Sequence, residues 1–133
     1  MTTDWDAETS GTMLFGVKAG AVLILFDLIA SLLSRYAHIP YASFTLGSFA
    51  IYVVAGFLAA RRFRFAAAPL VGTVAGLSEA TVGWAVSWVI GPGRPSASAA
   101  GFVSVLFAGV VVTAVATGLG ALGGVGAVLM SKS

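Results

Sequence analysis

The chain contains no cysteine, no asparagine and no glutamine, and it has a single histidine, His38. Without thiols it can hold no disulfide, no thiol nucleophile, no iron–sulfur cluster and no thiolate metal site. Without asparagine it has no acceptor for N-glycosylation. It also lacks a Ser–His–acid set, a metal-ligand cluster and a phosphate-binding loop. These absences predict a protein that is not an enzyme and that needs no metal or cofactor.

Charge is scarce as well. Only 9% of the 133 residues are charged, 59% are hydrophobic, and the mean hydropathy is +1.01. Soluble domains carry about 25% charged residues, so this composition indicates a chain that is solvated by lipid. The one basic cluster is Arg61, Arg62 and Arg64, between two apolar runs. Such arginines are typical of a loop at a membrane edge, and no nucleic-acid partner is predicted.

Four apolar runs reach the roughly 20 residues that a helix needs to cross a bilayer. They cover residues 13–33, 41–60, 66–90 and 99–122. We therefore predict an all-α four-helix transmembrane bundle with short loops over residues 13–122. A short acidic cytoplasmic segment, 1–12, precedes it. A glycine-rich tail, 123–133, follows, and it either extends the fourth helix or frays at the membrane interface.

Lysine and arginine are distributed unequally between the two sides of this predicted topology. One side carries Arg61, Arg62, Arg64, Lys132 and, through its long side chain, Lys18; the other carries Arg35 and Arg94. Because the more basic side of a membrane protein faces the cytoplasm, both termini are expected there. The Arg-over-Lys, Ala- and Gly-rich usage is typical of a prokaryote, so we expect an integral protein of the inner membrane.

Two acidic residues, Asp27 and Glu79, interrupt the first and third apolar runs. A charge at bilayer depth costs about 2.5–3.5 kcal/mol on insertion scales, so each acid needs a partner or a proton. Lys18 lies nine positions from Asp27, on the opposite face of the helix, and is expected to reach the headgroups instead. The remaining partners are a proton, a small cation or a polar group of a neighbouring helix.

Helical periodicity places small and hydroxylated residues on one face of every predicted helix. The glycines of these faces are predicted helix-packing positions: Gly20, Gly72, Gly76, Gly83 and Gly109. The hydroxylated residues are predicted to line a pocket around the two acids: Ser31, Tyr52, Thr113 and Thr117. Plain helix packing is the alternative interpretation of all these faces.

An offset of 52 residues superimposes Asp27 on Glu79 and Pro40 on Pro92. This offset suggests the hypothesis of two parallel two-helix repeats, related by an axis along the membrane normal. In such repeats the two carboxyl groups would lie at matching depth.

Two functions fit these patterns. The first is a proton- or cation-linked small-solute transporter or ion-conducting protein that uses Asp27 and Glu79. The second is a non-catalytic membrane subunit or assembly protein, in which the acids hold helices together. Because so small a bundle can hardly enclose a pathway alone, we expect a homo-oligomer or a larger membrane complex within the lipid bilayer. No motif is specific enough to assign the chain to a known family.

Overall fold

The computed structural model describes residues 4–90 and 98–132, which are helical almost throughout and contain no strand. The all-α prediction is confirmed. The chain forms α1 (Asp4–Ala37), a short 3-10 turn (Tyr41–Phe44), α2 (Thr45–Arg62), α3 (Ala67–Ser78), a π-helical turn (Glu79–Gly83), α4 (Trp84–Ile90) and α5 (Ala99–Met130). The predictions made for Pro92 and Arg94 lie outside the described residues.

Three helical segments are long and apolar enough to cross a membrane: Trp5–Ala37, Tyr41–Arg62 and Ala100–Met130. They correspond to the first, second and fourth predicted runs. The third run is also helical, but it is divided into α3, the π-helical turn and α4, each shorter than a membrane-crossing helix. A π-helical turn widens the helix locally and occurs frequently at functional sites. In this chain the turn begins at Glu79, one of the two predicted site acids.

The start of α1 and the connection between α2 and α3 lie at the same end of the molecule. The Glu8 carboxylate is 2.7 Å from Nε of Arg64, whose guanidinium also lies 4.3 Å from the centre of the Trp5 ring. We call this the basic end. At the other end, Arg35 donates a hydrogen bond of 3.2 Å to the carbonyl of Ile90. This bond satisfies one of the carbonyls that a helix leaves unpaired at its C-terminus. We call this second end of the molecule the Pro40 end.

The glycine-rich segment after residue 122 continues α5 as far as Met130. Of the two alternatives for this segment, the structure therefore has the extended helix. Glycine lowers helix propensity, but here it allows close packing. Gly123 contacts the backbone of Val53 in α2, and Gly124 contacts Ala68 in α3.

Helix α1 runs parallel to the segment formed by α3, the π-helical turn and α4. Ser31 contacts Ser87 at 3.3 Å, 56 positions along the chain, and Arg35 contacts Ile90, 55 positions along. In this register Asp27 lies level with Gly83. Glu79 therefore lies about one helical turn nearer the basic end than Asp27 does, and the two acids are not at the same depth.

The helices do not pack with two-fold symmetry. Within the described residues α2 contacts α3, whereas α1 and α5, the equivalent pair in the hypothetical repeats, do not contact each other. Each of α2 and α3 contacts both α1 and α5. The packing thus gives the repeat hypothesis no support, although the parallel direction of α1 and α3 is the one that it requires.

The core is closed in the half of the molecule nearer the basic end. Val71 is buried there among alanines, including Ala55, Ala59 and Ala67. Glycines bring the helix backbones together: a Cβ atom on Gly56 would overlap the carbonyl of Gly120, and one on Gly72 would overlap that of Ala116. We call these contacts between α2, α3 and α5, with that of Gly123, the glycine seam. The seam leaves no room for side chains between these backbones.

Candidate functional site

A cavity of about 280 Å³ lies in the other half of the molecule, nearer the Pro40 end. Both predicted acids, Asp27 and Glu79, line it. The remaining lining residues come from the 3-10 turn, α2 and α5: Tyr41, Phe44, Thr45, Ser48, Phe49, Tyr52, Val111, Val112 and Val115. The cavity therefore has a polar side with two carboxyl groups and an apolar side of phenylalanines and valines.

Asp27 is 2% exposed and its two carboxyl oxygens have different surroundings. Oδ1 accepts a hydrogen bond of 3.1 Å from the Tyr41 hydroxyl, which the 3-10 turn after Pro40 brings back over α1. Oδ2 is buried without a hydrogen-bond partner among the described residues. A buried, unsatisfied carboxyl oxygen costs free energy. A proton on this oxygen, or a cation beside it, would remove that cost.

Glu79 is the first residue of the π-helical turn, and its Oε2 accepts a hydrogen bond from the Tyr52 hydroxyl. Ser48, Asp27 and Glu79 all line the same cavity. Each of the two acids accepts a hydrogen bond from a tyrosine at one end of the segment from Tyr41 to Tyr52.

Gly83, the last residue of the π-helical turn, faces Asp27 directly. A Cβ atom at this position would lie 2.6 Å from Oδ2 of Asp27. Because that distance is shorter than any real contact of this kind, only glycine leaves room for the carboxyl group in its present place.

Gly83→Ala is expected to displace the Asp27 side chain and to lower the free energy of unfolding by about 1–3 kcal/mol, as overpacking does. Gly109→Ala is the matched control, since its Cβ would meet Ala80 at an ordinary 3.8 Å. Thermal unfolding in detergent would measure both changes. Because the clash is with Asp27, adding Asp27→Ala to Gly83→Ala should give less destabilisation than the two single changes added together. Strict additivity would show that the clash lies elsewhere.

Three of the predicted pocket residues lie outside the cavity. Ser31 is buried against Ser87, between α1 and α4. Thr113 donates back to the carbonyl of Gly109, as threonines in helices often do. Thr117 donates to the carbonyl of Thr113 and lies 2.8 Å from Thr73 of α3. Of the predicted lining residues, the structure places Tyr52 alone in the cavity.

The predicted glycines occupy three kinds of position. Gly72 and Gly76 contact α5, and Gly20 lies against Ser78 of α3. Gly83 contacts Asp27, while Gly109 makes no close approach. Lys18 is exposed, on a different face of α1 from the buried Asp27.

The sequence also contained a signal for three lining residues that were not predicted as such: Tyr41, Thr45 and Ser48. Tyr41, Thr45, Ser48 and Tyr52 recur at i, i+4, i+7 and i+11, the spacing of a single helix face. All four line the cavity. For Val111, Val112 and Val115 there was no comparable signal, because valine is common throughout the fourth apolar run.

The described residues contain no group of three or more His, Cys, Asp or Glu side chains that could hold a metal ion. No family model matches the chain, and no curated protein or solved structure matches it either.

Proposed function

We propose that this chain is a four-helix transmembrane bundle that moves protons or a monovalent cation, with Asp27 and Glu79 as the exchanging pair. One observation carries the proposal: both acids line one cavity inside apolar helices, and no basic side chain among the described residues lines it. An intramembrane acid without a basic partner is best explained by a proton or cation that occupies it during function.

The segment Ala67–Ile90 supplies the fourth crossing in this proposal. It contacts α1 near both ends, through Arg64 with Glu8 just before it begins and through Ile90 with Arg35 where it ends. It therefore extends along the same length as α1, which is long enough to cross a membrane. The π-helical turn in its middle directs Glu79 into the cavity.

The chemistry of the pair is an exchange of one positive charge for another. Two neighbouring carboxylates in an apolar site cannot both be ionised without a large cost, so they share a proton. A monovalent cation bound between them would replace that proton at no change in total charge. Binding of the cation would then release the proton, and this competition is the simplest form of proton-linked exchange.

Access to the pair is from one half of the molecule. The cavity lies toward the Pro40 end, and on its other side the glycine seam brings α2, α3 and α5 into close contact. Transport would require a second conformation in which the seam opens and the cavity closes, as in alternating access. By the distribution of basic residues, we place the basic end, with both termini, in the cytoplasm of a prokaryotic cell.

The proposal is tested by flux into liposomes that contain the purified protein and a trapped pH-sensitive dye. An imposed pH gradient should decay faster than in empty liposomes, or than in liposomes with the double variant Asp27→Asn/Glu79→Gln. Sodium, potassium and small ammonium ions would each be added in turn. If the protein leaves the decay rate at that of empty liposomes with every ion, the transport proposal fails.

The second candidate function is a non-catalytic membrane subunit, and the tyrosine–carboxyl hydrogen bonds favour it. Tyr41 ties the 3-10 turn to α1, and Tyr52 ties α2 to the π-helical turn. The broad apolar face of α5 would then contact lipid, a second copy or a larger complex. In this role Tyr52→Phe should lower stability as much as Glu79→Gln does, and no flux should be measurable.

A further inference from the structure

Helices α2 and α5 run side by side, with their backbones in contact at one level and with residues of both helices lining the cavity at another. Near the basic end Gly56 contacts Gly120, and Val53 contacts Gly123, so the two backbones touch. One to three turns nearer the Pro40 end, bulkier side chains occupy the same region. Phe49 and Thr45 are on α2, and Val112 and Val115 are on α5. All four of these side chains line the cavity.

Some of the residues that line the cavity are also exposed on the outer surface of the molecule. Phe49 is 37% exposed, Val111 is 43% and Val115 is 39%. All three lie within segments that are long and apolar enough to cross a membrane. Their exposed surface therefore faces hydrocarbon in the bilayer. We call the space between them the lateral gap, because it joins the cavity to this lipid-facing surface.

The lining of the cavity selects a ligand with a single positive charge and an apolar body. Two carboxyl groups attract a cation, and a single positive charge can take the place of the one proton that they share. Four aromatic rings, those of Tyr41, Phe44, Phe49 and Tyr52, add faces that attract an ammonium group. A bare inorganic ion would gain no favourable contact with the valine side chains that line the other side of the cavity. At about 280 Å³ the cavity is also many times larger than one water, whose share of liquid volume is about 30 Å³.

We propose that the cavity binds an amphipathic monovalent ammonium ion that arrives from the bilayer through the lateral gap between α2 and α5. This inference rests on the proposed function, since it names the cation that exchanges with the proton at the same pair. The ammonium group lies against Glu79 and Asp27, and the hydrocarbon body lies against the valines of α5.

The test is calorimetric binding of hexyltrimethylammonium to the protein in lipid nanodiscs, with tetramethylammonium as the water-soluble comparison. The wild type should bind the hexyl compound at least about tenfold more tightly, through its apolar body. Glu79→Gln should abolish binding. Val115→Trp should fill the lateral gap and weaken binding by about tenfold or more. Val110→Trp is the matched control, since Val110 is 69% exposed on α5 and does not line the cavity.

Equal affinity for the two ammonium ions would overturn the inference, as would a Val115→Trp protein that is folded and binds like the wild type. The inference would also be overturned if Val110→Trp weakened binding as much as Val115→Trp does. The flux assay separates this failure from that of the proposed function. If wild-type protein dissipates the pH gradient but does not bind hexyltrimethylammonium, the transport proposal stands and this inference alone is wrong.

Discussion

Glu79→Gln is expected to reduce proton- or cation-linked flux to the level of empty liposomes while the protein remains folded in the membrane. Glutamine has nearly the same shape and can still accept the hydrogen bond from Tyr52, so the packing is preserved. It cannot release a proton, however, and it carries no charge for a cation. Asp27→Asn should have the same effect, because both acids line the same cavity and are proposed to exchange charge as a pair.

Glu8→Gln is the matched control for these variants, since it removes a carboxylate of the same kind outside the cavity. Glu8 is partly exposed and pairs with Arg64 at the basic end. Exposed pairs of this type contribute about 0–1 kcal/mol, so its loss should change neither the fold nor the flux. If Glu79→Gln and Asp27→Asn both retained full flux, the transport proposal would be refuted. If they instead only lowered thermal stability, the structural role would be favoured.

The second large effect concerns the glycine seam. Gly56→Ala is expected to lower the free energy of unfolding by about 3 kcal/mol or more, at the upper end of overpacking costs. Its Cβ would overlap the carbonyl group of Gly120, and backbone cannot move aside as a flexible side chain can. The helices α2 and α5 would have to separate along the seam. Unfolding in detergent, followed by circular dichroism, would measure the change.

Gly118→Ala provides a control that makes the same chemical change in α5. A Cβ there would meet nothing within 4 Å, so only helix propensity is affected. Alanine is favoured over glycine in a helix by about 0.8–1 kcal/mol, and the variant should be slightly more stable than the wild type. Similar stability for the Gly56 and Gly118 variants would show that the seam is not a tight contact.

Much of the secondary structure could be predicted from the sequence because apolar runs of helical length are an unambiguous signal. The break in the third run could not, because a π-helical turn depends on local hydrogen bonding and not on composition. The continuation of α5 to Met130 was left open for a related reason. Glycine weakens a helix in isolation, and only the neighbouring backbone at Val53 shows why Gly123 is tolerated.

The two acids of the site were predicted from the sequence, but most of the residues that surround them in the cavity were not. Helical phase placed Asp27 and Glu79 on protein-facing surfaces, and the structure brings them to one cavity. Phase alone could not give the register between helices. In the structure this register is 56 residues and not 52, so the two acids do not lie at equal depth. Nor could it show that Thr113 and Thr117 hydrogen-bond within α5 and at its contact with α3. The role of Tyr41 depends on a turn that folds back across 14 positions.

In the proposed function, the carboxyl groups in the cavity carry the transported charge. Modification with dicyclohexylcarbodiimide, an apolar reagent that reacts with protonated carboxyl groups, tests this role. In liposomes, modification mapped by mass spectrometry should occur at Glu79 and not at the salt-bridged Glu8. Flux should fall in proportion to the fraction of Glu79 that is modified. Full flux with Glu79 modified, or loss of flux with Glu79 unmodified, would contradict the account.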